Sequence, residues 1–175
     1  MVQQEQPVLS YITELTGLTK EEMDAHAVPL AEAMAALRAN LPPNAIIVGQ
    51  NILKDVQWLD LLEGQDFASL VDLSALLQVW NAERGAYTGF GQDHCAKVWL
   101  GIQDRPNHDA LADATISMML FNAYRNVQGN PMQLQQLQQA TLHAPRTPGF
   151  SASHPTVDGC CMGNRKKCTC GGAWL

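Results

Sequence analysis

The chain has 175 residues and a mass of 19.1 kDa, with 46% apolar and 16% charged residues. That composition suits one domain with a short appendage and excludes wholesale disorder. A net charge of −6, from 11 Lys+Arg against 17 Asp+Glu, leaves no broad basic clamp for nucleic acid, while a local basic patch remains open. The charge is uneven. Residues 1–143 carry 7 cationic and 16 acidic side chains, whereas residues 144–175 carry 4 and 1 and hold four of the five cysteines. The apolar runs 45–48 and 116–121 are too short to cross a bilayer. The first seven residues are Gln-rich, with no basic start and no apolar stretch, and predict a reducing intracellular compartment, nucleus or cytoplasm.

Thr19-Lys20-Glu21-Glu22 reads as a capping box that opens a short helix. Pro29 suits the start of a longer one, with Leu30, Ala33, Met34, Leu37 and Leu41 as its buried stripe. Residues 45–48 are apolar on both faces, as in a buried strand. Asn51 is placed to cap the next helix, which carries Ile52, Val56, Leu59 and Leu62 on one face. Residues 69–73 read as a second strand, 76–83 as a helix, 85–91 as a Gly-rich loop and 94–100 as a short helix. Asn107 is placed to cap a long helix with Leu111, Thr115, Met118, Met119 and Asn122 on one side, the methionines packing in the core. Asn130-Pro131 opens a Gln-rich helix over 132–142. Residues 144–159 hold three Pro, two Gly and two Ser and read as a linker. Trp80, Tyr87, Phe90 and Trp99 read as packing around the Gly-rich loop, and Cys95 as a core thiol. The alternation of elements predicts an α/β fold with only two visible strands.

Three stretches can carry chemistry. Val48-Gly49-Gln50-Asn51-Ile52-Leu53-Lys54-Asp55 puts a carboxylate in the first helical turn after a buried strand, at the sheet edge where α/β folds place their sites. Asp55 there either serves a site or merely favours the positive helix end. In Asn107-His108-Asp109-Ala110-Leu111-Ala112-Asp113-Ala114, Asp113 is flanked by small residues that leave room for an ion or a substrate backbone. The plainer alternative makes His108 a surface residue and Asp113 a solvated charge. Leu15-Thr16-Gly17-Leu18-Thr19 alone means a turn followed by a helix.

In this order and spacing the three stretches resemble the L-T-G, V-G-H-N-x-x-F-D and H-x-A-x-x-D-A segments of the DEDDh family of 3′→5′ exonucleases. The resemblance covers residues 8–126 and is nearest to the eukaryotic RNA exonucleases. It implies an α/β, ribonuclease-H-like exonuclease fold and two-ion hydrolysis of phosphodiesters with Mg²⁺ or Mn²⁺. It implies Asp55 and Asp113 as metal ligands, His108 as general base, and Leu15, Thr16 and Gly17 in the pocket for the terminal nucleotide. Single-stranded RNA is favoured over DNA as substrate.

Gln50 and Lys54 depart from the family pattern, which usually has His and an aromatic at these two places. The family's first motif, D-x-E, has no counterpart among the fourteen residues before Leu15. The expected domain, residues 1–143, therefore lacks its opening strands. That leaves an apolar strand edge for a partner chain to complete, and an alternative reading as a non-catalytic binding or assembly module. A segment upstream of Met1 carrying D-x-E would instead make the protein an ordinary exonuclease.

Residues 160–175 form a basic, Cys-rich tail after the linker. Cys160, Cys161, Cys168 and Cys170 fall within eleven residues, with Arg165, Lys166 and Lys167 between them. Four thiolates can enclose Zn²⁺, and nearby cations favour thiolate. The spacing is not that of a zinc ribbon, so a flexible, reduced tail is the competing expectation. His154 is a substitute ligand.

Overall fold

A computed structural model describes residues 1–103, 109–164 and 166–174, the side chain of Trp174 excepted. The first elements in chain order are α1 (Thr13–Thr16), α2 (Lys20–His26), α3 (Leu30–Asn40), β1 (Ile46–Gly49), α4 (Leu53–Trp58), β2 (Ser69–Asp72) and α5 (Leu73–Leu76). They are followed by β3 (Val79–Asn81), β4 (Ala86–Thr88) and α6 (Gln92–Cys95), which runs into a π-helical turn, Ala96–Leu100. Last come α7 (Ala110–Val127), α8 (Pro131–His143), α9 (Phe150–Ser153), β5 (Thr156–Val157), β6 (Cys160–Cys161) and β7 (Ala173–Trp174). These elements form two compact units. One is built from residues 1–37, Asp109, 148–164 and 166–174, the other from residues 38–103 and 110–147.

The larger unit is organised by β1 and β2, which pair in parallel with Ile46 opposite Ser69 and Gly49 opposite Asp72. Its core is Leu73, Leu77, Val79, Phe90, Cys95, Ala96, Ile116 and Leu120, with Val48 and Phe121 packed against it. Burial pushes the Cys95 thiol up to about 11, only partly offset by Arg146, so it stays protonated at neutral pH. Helix α8 starts at Asn130, whose Oδ1 accepts from the Gln133 amide (3.2 Å), with Pro131 in the first turn. It is pinned by Thr141, which is fully buried. The Thr141 carbonyl lies 2.8 Å from His94 Nε2, and its hydroxyl accepts from Trp99 Nε1 at 2.9 Å.

Several sequence expectations fail in the structure. The stripe read as buried on α3 holds no buried residue, and α4 ends at Trp58, leaving Leu62 exposed. Residues 79–88 are a β-hairpin, not a helix and a loop. Asn81 Oδ1 accepts from the amides of Glu83 and Arg84, and Gly85 takes φ 61°, so local turn chemistry overrides the helical pattern. Trp80 and Tyr87 on that hairpin pair edge to face but are 51% and 64% exposed. On α7 the buried positions are Ile116, Ser117, Leu120 and Val127, while Leu111, Met118 and Met119 face outward. The helix is apolar on two sides, and periodicity alone picked the wrong one. Asn51 does not cap α4: its backbone is left-handed (φ 54°) and Ile52 precedes the helix.

In the smaller unit both bonds of the capping box form, from the Glu22 amide to Thr19 Oγ (3.2 Å) and from the Thr19 amide to Glu22 Oε2 (3.1 Å). The stretch read as linker contains α9 and β5. β5 pairs antiparallel with β6 across Asp158-Gly159, both at positive φ, a two-residue hairpin turn. β7 adds in parallel to β6. Gly172 permits that approach, because a Cβ there would lie 3.0 Å from the Gly159 carbonyl oxygen. No helix among the described residues is long and apolar enough to cross a membrane.

Candidate active site

Strand β1 ends at buried Gly49, where a Cβ would come within 2.7 Å of Ile52 Cδ1. The missing side chain lets the backbone fold tightly into α4, which carries Asp55 in its first turn. The neighbouring strand end braces this bend. Asp72, opposite Gly49, accepts from the amides of Asn51 (3.0 Å) and Ser74 (2.8 Å) and from the Ser74 hydroxyl. Burial works against the Asp72 carboxylate. The bonds from Ser74 and Asn51 outweigh it and hold the pKa below the ordinary value.

A cavity of about 350 Å³ opens at this carboxyl edge, bounded by the β1–α4 bend, Gln92 and the start of α7. Asp55 and Asp113 both line it, so the structure brings these two expected site residues together. Asp55 is exposed and Asp113 half-buried. Each sits in the first turn of its helix, where the helix end favours an anion. Ala110, Ala114 and Ser117 line the α7 side and keep it open. Gln92 Nε2 bonds the Asp113 carbonyl (2.9 Å) and Ser117 Oγ (2.8 Å), fixing that first turn. Gln50 lines the cavity too. Its Nε2 donates to the Phe90 carbonyl at 2.7 Å, and its buried Oε1 has no hydrogen-bond partner among the described residues.

Leu15, Thr16 and Gly17 belong to the smaller unit. Gly17 (φ 73°) closes α1, and the Thr16 hydroxyl is engaged by the Tyr11 carbonyl (2.8 Å) and the Leu18 amide (3.1 Å). His108 lies outside the described residues. Sequence reasoning missed Asp72 and Gln92. For Asp72 a signal existed, an Asp two residues before Ser at a strand-to-helix junction; Gln92 had none, since its role depends on Ser117, 25 positions away.

Two carboxylates, an orphaned amide oxygen and a hydroxyl are hard oxygen donors. They fit one Mg²⁺ or Mn²⁺, which often takes one or two carboxylates and completes its shell with water and phosphate. They fall short of the four carboxylates of a two-ion centre. Among the described residues no third acid, His or Cys groups with them.

The fold defined by this arrangement is the ribonuclease-H-like exonuclease fold. The chain superposes on the Pan2 catalytic unit of Neurospora crassa, its protease and nuclease domain, with a TM-score of 0.64 and 16% identity, over 81% of this chain and 23% of that one. It also superposes on a Saccharomyces cerevisiae Pan2 module solved with AAGGAA RNA, with a TM-score of 0.63 and 14% identity, over the same shares. No family model matches. By sequence the chain is 33% identical to human RNA exonuclease 5 over 118 residues, 65% of this chain and 14% of that protein. It is 32% identical to the Macaca fascicularis protein of that name over 69% of this chain and 15% of that one. Small RNA degrading nuclease 3 of Arabidopsis thaliana is 27% identical over 70% and 15%. The chain is thus similar in sequence to eukaryotic proteins named as RNA exonucleases, and spans about 15% of the length of the relatives it matches.

Proposed function

We propose that this chain is exonuclease machinery that removes nucleotides from the 3′ end of RNA, with divalent-metal chemistry centred on Asp55 and Asp113. The observation that carries the reading is that these two carboxylates share one cavity at the carboxyl edge of β1. The names of the relatives support RNA over DNA. A bound Mg²⁺ or Mn²⁺ would lower the pKa of its water and neutralise charge on the scissile phosphate. Asp55 and Asp113 would hold and orient that ion, Asp72 and Gln92 keep their two helix starts in place, and the small side chains of α7 would leave room for the sugar–phosphate. His108, five residues before Asp113 in the sequence, would take the proton from the attacking water.

Strand β1 has one partner among the described residues, and Ile46 is 57% exposed. A further strand bringing more carboxylates would complete the sheet and the site. The test is degradation of a 5′-labelled single-stranded RNA, with a DNA of the same sequence beside it. Mg²⁺-dependent shortening from the 3′ end that is lost in Asp113→Ala supports the reading. Cleavage unchanged by Asp113→Ala and Asp55→Ala overturns it.

A further inference from the structure

The cysteines at the C-terminal end are arranged more selectively than their spacing suggests. Cys160 and Cys161 are neighbours on strand β6, so their side chains project to opposite faces. The loop that follows brings Cys168 and Cys170 to the Cys161 face alone. Cys161 Sγ lies 2.8 Å from Cys168 Sγ, which lies 2.9 Å from Cys170 Sγ. The three sulfurs form the one group of potential metal ligands found among the described residues, all within 4.8 Å of one another. None of them is in a disulfide. We propose that Cys161, Cys168 and Cys170 bind one Zn²⁺ as a three-thiolate site, with the fourth tetrahedral position open to water and Cys160 excluded.

Two further observations support the assignment. First, the cluster is supplied with donors to anionic sulfur. The Cys170 amide points at Cys168 Sγ (3.3 Å) and the Gly172 amide at Cys170 Sγ (3.5 Å). Such N–H groups hold metal thiolates in place and spread their charge. Second, Lys166 and Lys167 are exposed on the same loop and offset the negative charge of a zinc with three thiolates.

The sulfur spacing suits a small expansion on binding. Zn–S bonds of about 2.3 Å in a tetrahedron put sulfurs roughly 3.8 Å apart, about 1 Å wider than here. The loop after Met162 can supply that, since Gly163 and Gly171 flank its ligands. Cys170 is exposed and Cys168 half-buried, which leaves the outer side of the cluster to solvent. His154, the other candidate ligand, is stacked on Phe150 (4.2 Å between centroids), with Nδ1 2.9 Å from Ser153 Oγ. Soft sulfur donors select Zn²⁺ over Mg²⁺, so this site is chemically separate from the carboxylate cavity.

The site is tested on the 175-residue chain, expressed with added zinc, purified under a phosphine reductant and assayed for metal by mass spectrometry. About one zinc per chain is expected, released by a thiol-directed mercurial with loss of no zinc in the Cys160→Ser variant before treatment. Cys168→Ser and Cys170→Ser should each weaken zinc binding roughly a hundredfold or more, beyond the loss typical of an outer hydrogen-bond partner. Because Cys170 is exposed, its variant keeps the fold, checked by far-ultraviolet circular dichroism. Cobalt substitution of the parent chain gives a readout independent of any variant: thiolate-to-metal charge transfer with the visible bands of tetrahedral cobalt. A reduced chain that stays metal-free in excess zinc overturns the site. So does zinc that survives Cys168→Ser and Cys170→Ser, zinc lost in Cys160→Ser, or a disulfide within the cluster under these conditions.

Discussion

Two clusters of ligand-type side chains differ in how the chain assembles them. Asp55 and Asp113 are 58 positions apart and meet only because β1, α4 and α7 pack in the larger unit. Cys161, Cys168 and Cys170 lie within ten residues and meet because one short strand and one loop bring them together. The first is a set of hard oxygens in a cavity with room for a substrate. The second is a set of soft sulfurs whose sulfur atoms nearly touch. The first depends on the stability of a distant core, the second on local turn geometry, so perturbing one should leave the other's readout largely intact.

The largest separation is expected in catalysis. Asp113→Ala and Asp55→Ala should each lower Mg²⁺-dependent RNA cleavage by more than roughly a hundredfold, the upper range for removing a ligand's supporting partner, without changing the zinc content of the tail. His108→Ala should cost about 10²–10⁴-fold, the usual contribution of a general base. A gel of 5′-labelled RNA reads both, and a variant that retains full laddering removes that residue from the mechanism. The cavity holds two carboxylates, so the 175-residue chain should itself be weakly active. Fusing a D-x-E strand ahead of Met1 should raise the rate, and only if Asp113 is intact.

In the core, Leu120→Ala removes a fully buried side chain and should cost about 2–5 kcal/mol in urea unfolding. Met118→Ala, on the outward side of the same helix and 45% exposed, should stay within about 0.5 kcal/mol. Equal effects would mean that the face of α7 has been assigned the wrong way round.

Asp72→Ala removes the brace of the β1–α4 bend and the cap of α5, at a cost of about 1 kcal/mol. Its pH dependence has a definite sign. Because the folded pKa is lowered, the stabilisation is complete above the ordinary value of 3.8 and is lost as pH falls through the lower folded value. Stability curves of parent and variant should therefore converge below about pH 4. A constant gap down to acid would show that the carboxylate charge is not what braces the bend.

The smallest effect concerns thiol reactivity. In the metal-free, reduced chain Cys170 should alkylate with a midpoint near pH 6, and Cys95, held at about 11, should not react below it. Zinc should protect Cys170 and leave Cys95 unchanged. Mass mapping of the alkylated peptides reads both.

Several features were legible in the sequence because they are local. The capping box at Thr19 and Glu22 and the Asn130-Pro131 helix start depend on neighbours within a few positions, and each formed. The strand read over 45–48 formed as Ile46–Gly49, with Ile46 exposed rather than buried. The ordered spacing of Leu15 to Gly17, Asp55, His108 and Asp113 was enough to indicate the ribonuclease-H-like fold. The hairpin over 79–88 was not read, because an Asn-centred turn and a Gly at positive φ prevailed over a helix-like apolar period. The buried face of α7 was not readable either. Both of its sides are apolar, and the core around Leu73 and Phe90 selects one of them.

By itself the sequence determined the chemistry on offer: which carboxylates and thiols exist, and which short segments turn, cap or extend. Only the tertiary structure decided which of them meet. It placed Asp55 and Asp113 on one cavity, recruited Asp72 and Gln92 to hold that cavity's walls, and separated Cys160 from three other thiols by the alternation of a strand. The physical reason is that capping and turn preferences act over a few residues, whereas a site is set by packing between elements far apart in the chain, where burial of distant side chains chooses the face.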